Sequence, residues 1–122
     1  MNAAQALARA ATPRNIVCEL NDNLRRNLFA PTLYGEVLFT AGVSALRDDD
    51  RFALLDEVRC FEDFTPNNDP YGEHDFGRID FRGGRYFWKI DYYDNDMAAH
   101  SPDKSDPTQT RRILTIMRAD EY

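Results

Sequence analysis

Residues 77–93 read GRIDFRGGRYFWKIDYY, and this stretch decides the fold. Apolar and polar side chains alternate on both sides of Gly83-Gly84, and such glycines supply the positive φ angles that a tight hairpin turn requires. The alternation predicts an antiparallel hairpin. One face of its second strand is apolar and consists of Tyr86, Trp88, Ile90 and Tyr92.

Polar segments flank this hairpin on both sides. Residues 66–75 read PNNDPYGEHD, and this density of proline, asparagine and glycine predicts a turn that leads into the first strand. Residues 94–110 form a long acidic connection without periodicity, and loops of this length are often binding loops or mobile ones. Antiparallel pairing places both segments at the open end of the hairpin, so the sequence predicts a cluster of ionisable groups there.

Two helices are predicted before the hairpin. Thr12-Pro13 is typical of an N-cap followed by proline at the first helical position, and the first helix should run to about Phe29. Its apolar face consists of Val17, Leu20, Leu24 and Leu28. Residues 1–11 fit either a loose helix or a frayed tail. A second, shorter helix follows the three acids at 48–50, which favour a helix N-terminus, and it has Phe52 on its apolar face.

The remaining elements are short. Residues 35–40 predict a strand that is covered on both faces, and residues 41–46 predict a helical turn. The apolar spacing over 58–64 fits either helix or strand, and we expect a change to strand there. Residues 112–117, RILTIM, form a nearly continuous apolar run, which predicts a central strand that is buried on both faces.

These elements predict an α+β fold within a single domain over residues 1–122. We expect a mainly antiparallel β-sheet of four or five strands, with the N-terminal amphipathic helix and the second shorter helix packed on it. A chain of this length can bury a sizeable core without disulfides or metals. We therefore expect Cys18 and Cys60 to be buried free thiols.

The charge of the chain is uneven. The net charge is −6, but residues 48–106 carry 16 acids against 7 bases, a net −9, and the rest sums to +3. This acidic middle argues against direct nucleic-acid binding, which needs basic surface. It permits attraction to a basic partner. No apolar run approaches the roughly 18 residues of a membrane helix, and the N-terminus lacks a secretory pattern, so we expect a cytoplasmic protein, monomeric or homodimeric.

The ionisable cluster has two interpretations. His74 with Glu73, Asp75, Asp94 and His100 could supply imidazole and carboxylate ligands for a divalent metal. In the other interpretation Asp69 and Asp75 cap backbone N–H groups of the turn, and His74 bonds to a neighbouring carboxylate. The spacing is not that of a known zinc motif, and residues 48–50 lack the ligand spacing of a calcium loop. We expect no cofactor.

Five motifs resemble those of one protein family. They are LNDNLR at 20–25, LFTAGV at 38–43, NDPYGEHDFG at 68–77, WKIDYYD at 88–94 and RILTIMRADEY at 112–122. Over about residues 15–122 the chain is similar to a family of small bacterial proteins, a domain of unknown function frequent on alphaproteobacterial plasmids and integrated elements. The resemblance implies a mobile-element context, often beside antirestriction-type genes. It brings no established activity and no catalytic residues.

Two functional hypotheses follow. In the first, the chain is a non-enzymatic anti-defence protein, an anti-CRISPR or antirestriction inhibitor, that binds a basic, nucleic-acid-binding surface of a host complex. Its partner-binding residues would be Asp69, Glu73, Asp75, Asp91, Asp94, Asp96, Asp103 and Asp106. In the second, it is a metal-dependent enzyme that acts on nucleic acid or nucleotides through His74 and neighbouring carboxylates. The first is preferred.

Overall fold

The computed structural model describes residues 14–29 and 33–122. Its helices are α1 (Ile16–Arg26), α2 (Ala41–Ser44) and α3 (Asp48–Arg59), and a 3₁₀ turn spans Ala119–Glu121. Its strands are β1 (Glu36–Phe39), β2 (Phe76–Phe81), β3 (Gly84–Tyr93) and β4 (Arg111–Arg118), which form one sheet in the order β1-β4-β3-β2. The predicted α+β class, with a mainly antiparallel sheet and an N-terminal helix, is confirmed. No helix in the described ranges has the length and apolar character needed to cross a membrane.

The hairpin forms as predicted, with its turn one residue earlier. Phe81 pairs with Gly84, so the two loop residues are Arg82 and Gly83, whose φ angles are 47° and 81°. Two successive positive φ angles match the right-handed twist of the flanking strands. Gly84 therefore begins the return strand instead of completing the turn.

Strand β4 lies at the centre of the sheet. It pairs antiparallel with β3 and parallel with β1. Leu114 on one face and Ile113 on the other are at most 4% exposed, which confirms a strand buried on both faces. The same expectation is wrong for β1, because β1 is an edge strand and its Leu38 is 50% exposed.

The core lies between the sheet and helices α1 and α3. Trp88 on β3 is fully buried together with Leu54 and Val58 of α3. The rings of Phe61 and Phe64 meet the Trp88 ring edge-on, with centroids 5.5 and 6.1 Å away. Residues 60–64 are thus aromatic anchors in an irregular segment, and the predicted change to strand there is wrong.

The helix boundaries differ from the prediction. The side chain of Asn15 accepts a hydrogen bond from the Cys18 N–H and caps α1, and α1 ends at Arg26, before Phe29. The predicted Thr12-Pro13 cap and residues 1–11 lie outside the described residues. Helix α3 has 12 residues against 11 in α1, so it is not the shorter one. The apolar face predicted for this helix is only partly correct: Leu55 and Val58 are buried together with Leu54, whereas Phe52 is 56% exposed.

The C-terminus is fixed to the start of α2. The Glu121 carboxylate accepts hydrogen bonds from the Thr40 hydroxyl at 2.7 Å and from the Gly42 N–H at 2.8 Å. A Cβ added at Gly42 would lie 2.4 Å from Arg118 Cδ and 2.6 Å from Glu121 Oε1, so a larger residue would have to displace the side chains that make this contact. The LFTAGV and RADEY motifs therefore form one structural contact.

Candidate functional site

A polar cluster lies where α1 meets residues 64–75 and the end of β3. At its centre Asn21 is fully buried. Its amide donates to the Glu73 carbonyl at 2.9 Å and to the Tyr92 hydroxyl at 2.7 Å, and its oxygen accepts from Arg112 Nε at 2.7 Å. One side chain thus joins α1 to the turn, to β3 and to β4.

His74 occupies the outer half of the cluster. Its Nδ1 lies 2.9 Å from Asp22 Oδ1, and its Nε2 lies 3.7 Å from Asp69 Oδ2. The imidazole stacks on Phe64, with centroids 3.8 Å apart and planes within 5°. The Asp69 carboxylate also accepts the backbone N–H groups of Glu73 and His74. The predicted turn capping by Asp69, with His74 beside a carboxylate, is present.

Arg25 supplies the buried positive charge beside Asp22. It is 1% exposed, and its Nη2 donates to Asp22 Oδ1 at 2.9 Å. Its Nη1 donates to the carbonyls of Val58 and Arg59, which end α3. Burial raises the pKa of Asp22, but hydrogen bonds from His74 and Arg25 outweigh it and hold the pKa below its ordinary value. Asp22 is therefore anionic at neutral pH.

The inner half of the cluster holds Asp75 beside Tyr92. The Tyr92 hydroxyl donates to Asp75 Oδ2 at 3.3 Å. Burial, and then the neighbouring charge of Glu73, raise the pKa of Asp75. The Arg112 guanidinium lies over the Tyr92 ring, 5.2 Å from its centroid, and burial lowers the pKa of Arg112. Asp75, Tyr92, Asn21 and Arg112 are thus linked in one chain of hydrogen bonds.

Cys18 lies one helical turn before Asp22. Its Sγ is 3.8 Å from Asp22 Oδ2. Burial, and then the charge of Asp22, raise the pKa of this thiol to about 11, so it is protonated at neutral pH and is a poor nucleophile. Cys18 is half-buried, whereas Cys60 is exposed. Both are free thiols, as predicted, but the predicted burial of Cys60 is wrong.

The residues predicted as metal ligands do not all lie together in the structure. His74 and Asp75 belong to the cluster, but Asp94 accepts the Ala98 N–H in the following loop, and His100 is exposed where its backbone pairs with Tyr93. Among the described residues, the histidine, cysteine and acidic groups that gather closely enough to hold a metal are Cys18, Asp22 and His74.

Sequence reasoning missed Cys18 and Asp22 as neighbours of His74. Asp22 and His74 are 52 positions apart, and no local pattern brings them together. The sequence contained one signal: Cys18 and Asp22 are four residues apart in a helix, and residues at this spacing share one face.

The eight predicted partner-binding acids fall into three groups. Asp69, Glu73 and Asp75 are partly buried in the cluster, where Glu73 Oε2 lies 2.7 Å from Lys104 Nζ. Asp91 lies on the sheet face that also carries Ile113, opposite the face of Trp88, and pairs with Lys89 at 2.9 Å. The other four lie together in the loop over residues 94–110, which we call the acidic loop: Asp94, Asp96, Asp103 and Asp106.

The acidic loop is held in shape by its own side chains. Asp103 Oδ1 accepts the Ser105 N–H and hydroxyl. Asp106 Oδ1 accepts the Thr108 N–H at 2.9 Å and its Oδ2 accepts from Gln109 at 2.7 Å. Bonds of this kind are Asx turns, which fix backbone shape locally. The loop is thus an ordered surface.

The fold and the cluster define a small α+β domain with a polar network at one end of its sheet and an acidic loop beside it. Residues 39–121 match the model of the family described as Protein of unknown function (DUF3768), and the chain belongs to this family. The match includes His74 and the acidic loop, while α1 lies before it. Searches of curated proteins and of solved structures found no match.

Proposed function

We propose that this protein is a non-enzymatic binding protein that docks its acidic loop on a basic, nucleic-acid-binding surface of a host protein complex. One observation carries the proposal. In the described part of the chain, none of the four aspartates of the loop has a cationic group within 4.0 Å, while the loop's only lysine, Lys104, is paired with Glu73. The loop therefore presents negative charge that the fold does not neutralise.

Charge of this kind favours a partner with basic surface. Complementary potentials steer association and select partners more than they add raw affinity. The net −9 over residues 48–106 repels phosphate backbones, and it suits a groove that otherwise holds nucleic acid. The partner is therefore a protein that handles nucleic acid, and not the nucleic acid itself.

The order of the loop supports the same role. Asn95 donates to the Thr108 carbonyl at 2.9 Å, and the hydroxyls of Ser101 and Thr110 lie 2.7 Å apart. These bonds cross the loop and tie it to the start of β4. A surface that is already ordered loses less conformational entropy on binding.

The resemblance to mobile-element proteins narrows the partner class. On a plasmid or integrated element, a protein that blocks a nucleic-acid-binding groove would protect the element from host defence. We propose CRISPR or restriction complexes as the partners, with binding in the cytoplasm by a monomer or homodimer.

The alternative, a metal-dependent enzyme acting through His74, has weaker support. Both nitrogens of the imidazole face carboxylates, those of Asp22 and Asp69. The nearby thiol of Cys18 is protonated, so it is not an activated nucleophile. These contacts are typical of a histidine held in a structural network, and less typical of a general base that is open to substrate.

The test removes the charge of the loop and keeps its shape. Asparagine retains the oxygen that caps a turn, so changing all four loop aspartates to asparagine eliminates four charges and preserves the Asx turns. Tagged wild-type protein is used to capture partners from a host with active defence systems, and the amide variant is compared on the purified partner. At about 0.2–1 kcal/mol for each exposed charge pair, the loss of four charges predicts binding that is at least about fourfold weaker.

A matched control removes the same charge elsewhere. Amide substitutions at four exposed acids on and after α3, namely Asp49, Glu57, Glu62 and Asp63, should leave binding within about threefold of wild type. Equal loss in both variants would show that net charge alone matters. Unchanged binding in the loop variant would overturn the proposal.

A further inference from the structure

We propose that Cys18, Asp22 and His74 bind one zinc ion. Their ligand atoms, one sulfur, one carboxylate oxygen and one ring nitrogen, all lie within 4.8 Å of one another. Thiolate, carboxylate and imidazole are the ligands that Zn²⁺ takes in proteins, whereas hard ions such as Ca²⁺ and Mg²⁺ prefer oxygen alone. The site differs in its ligands from any that the sequence pattern predicted.

The fold brings the three side chains together from two elements. Cys18 and Asp22 are four residues apart on α1 and so share one face of the helix. His74 has a φ of 55°, a left-handed conformation that is uncommon outside glycine. This conformation, together with stacking on Phe64, fixes its ring against the helix.

The distances are close to those of a zinc site. With bonds of ~2.0 Å to nitrogen and oxygen and ~2.3 Å to sulfur, a tetrahedral ion separates nitrogen from oxygen by ~3.3 Å and sulfur from oxygen by ~3.5 Å. The structure has 2.9 Å between His74 Nδ1 and Asp22 Oδ1, and 3.8 Å between Cys18 Sγ and Asp22 Oδ2. These two distances involve different oxygens of Asp22, so the carboxylate must turn to present one oxygen to the ion. The sulfur, oxygen and nitrogen, which lie within 4.8 Å of one another, must also draw together around it.

Outer groups support the ligands. Asp69 faces the second ring nitrogen of His74 at 3.7 Å, the position in which a carboxylate orients a metal-bound histidine. Arg25 holds the Asp22 carboxylate from the buried side. The Cys18 thiolate and the Asp22 carboxylate together carry two negative charges, which balance the charge of Zn²⁺. On binding, the ion replaces the thiol proton, which is released to solvent. It also replaces the proton through which His74 Nδ1 bonds to Asp22, so the neutral ring then carries its proton on Nε2, on the side of Asp69.

The site is open to solvent on one side. The side chains of Asp22 and His74 are 14% and 26% exposed, so an ion can enter without unfolding. Three protein ligands leave a fourth position for water, as in zinc sites that are not purely structural.

The chain provides its own controls for a test. It contains two cysteines and two histidines, one of each in the site and one outside it. The probe is Co²⁺, which replaces zinc and gives a thiolate-to-cobalt charge-transfer band only when a cysteine is a ligand. The variants are Cys18→Ser and His74→Asn against Cys60→Ser and His100→Asn. Serine keeps a donor toward Asp22, and asparagine tolerates the positive φ of His74.

The proposal predicts one equivalent of Co²⁺ with the charge-transfer band in wild type and in both controls. Zinc should displace the cobalt. Cys18→Ser should lose the band, and His74→Asn should bind at least about tenfold more weakly. No band in wild type, or a band that persists in Cys18→Ser and disappears in Cys60→Ser, would overturn the proposal.

A second measurement avoids any change to a ligand. In Cys60→Ser the remaining thiol is Cys18, and bound zinc should slow its alkylation by iodoacetamide at least about tenfold. Equal alkylation rates with and without zinc would contradict the site. The acidic-loop variant should bind metal as wild type does, so failure of the zinc site and failure of partner binding are distinguishable.

Discussion

Replacing Asn21 by alanine tests whether the polar cluster holds the fold together. The side chain is fully buried and makes three hydrogen bonds, one of them with the Arg112 guanidinium. A bond to a charged group contributes about 1.5–3 kcal/mol and a neutral one about 1 kcal/mol, and alanine recovers about 0.5 kcal/mol of helix propensity. We expect Asn21→Ala to lower the free energy of unfolding by about 3–4.5 kcal/mol.

Trp88 makes this measurement direct. It is the only tryptophan and is fully buried against the cluster's aromatic rings, so its fluorescence reports unfolding in urea. The expected loss corresponds to a midpoint shift of roughly 2 M. Asn23 is the matched control, since it lies on the same helix, is exposed, and its side chain has no hydrogen bond among the described residues. Asn23→Ala should change stability by less than about 0.5 kcal/mol.

The reasoning fails if the two variants are equally stable. A cost below about 1 kcal/mol for Asn21→Ala would mean that the three bonds do not contribute as their burial requires. The interpretation of the polar cluster as a network that stabilises the fold would then be wrong.

Three further predictions concern single side chains. Gly77→Ala should cost about 1–3 kcal/mol through overpacking and should alter Trp88 emission, because an added Cβ would lie 2.2 Å from Trp88 Nε1. The hydroxyl and N–H groups that bond Glu121 hold its pKa below the ordinary 4.5. Its contribution to stability is therefore present above pH 4.5 and is lost as the pH falls through the lowered pKa. In Glu121→Gln the free energy of unfolding should fall less steeply with decreasing pH in this acid range. The pKa of Asp75 is raised, chiefly by burial, so its ionisation opposes folding until the pH falls through the raised value. Asp75→Asn should therefore stabilise the protein in urea at neutral pH, whereas the exposed Asp96→Asn should not.

Local signals accounted for the elements that the sequence predicted correctly. The hairpin could be predicted because the alternation of apolar and polar residues around the turn glycines lies within 17 residues, 77–93. The central strand could be predicted from its continuous apolar run. The parallel pairing of β1 with β4 could not be predicted. It pairs Leu38 with Thr115, which are far apart in the sequence, and no local pattern indicates such a contact.

The irregular segment after α3 shows where local patterns fail. The apolar residues of this segment, Val58, Cys60, Phe61 and Phe64, have a spacing that fits both helix and strand. The outcome was decided by Trp88, whose buried ring receives both phenylalanines edge-on. Tertiary packing overrode an ambiguous propensity.

The candidate site was predictable only in part. The polar turn around Asp69 could be assigned from turn chemistry, and His74 from its neighbours. Its actual partner, Asp22, comes from a distant helix, where the four-residue spacing by itself predicts only a surface pair with Arg26. That pair exists at 3.8 Å, but the shorter contacts of Asp22 are with His74 and Arg25.

The most direct test of the account is competition between this protein and nucleic acid for one partner. The purified defence complex captured by the wild-type protein is titrated with labelled nucleic acid at two salt concentrations. The account predicts that wild-type protein displaces the nucleic acid and that displacement weakens at the higher salt. It also predicts that the variant with four amides in the acidic loop is at least about fourfold less effective. Simultaneous binding of protein and nucleic acid, or equal displacement by the variant, would contradict it.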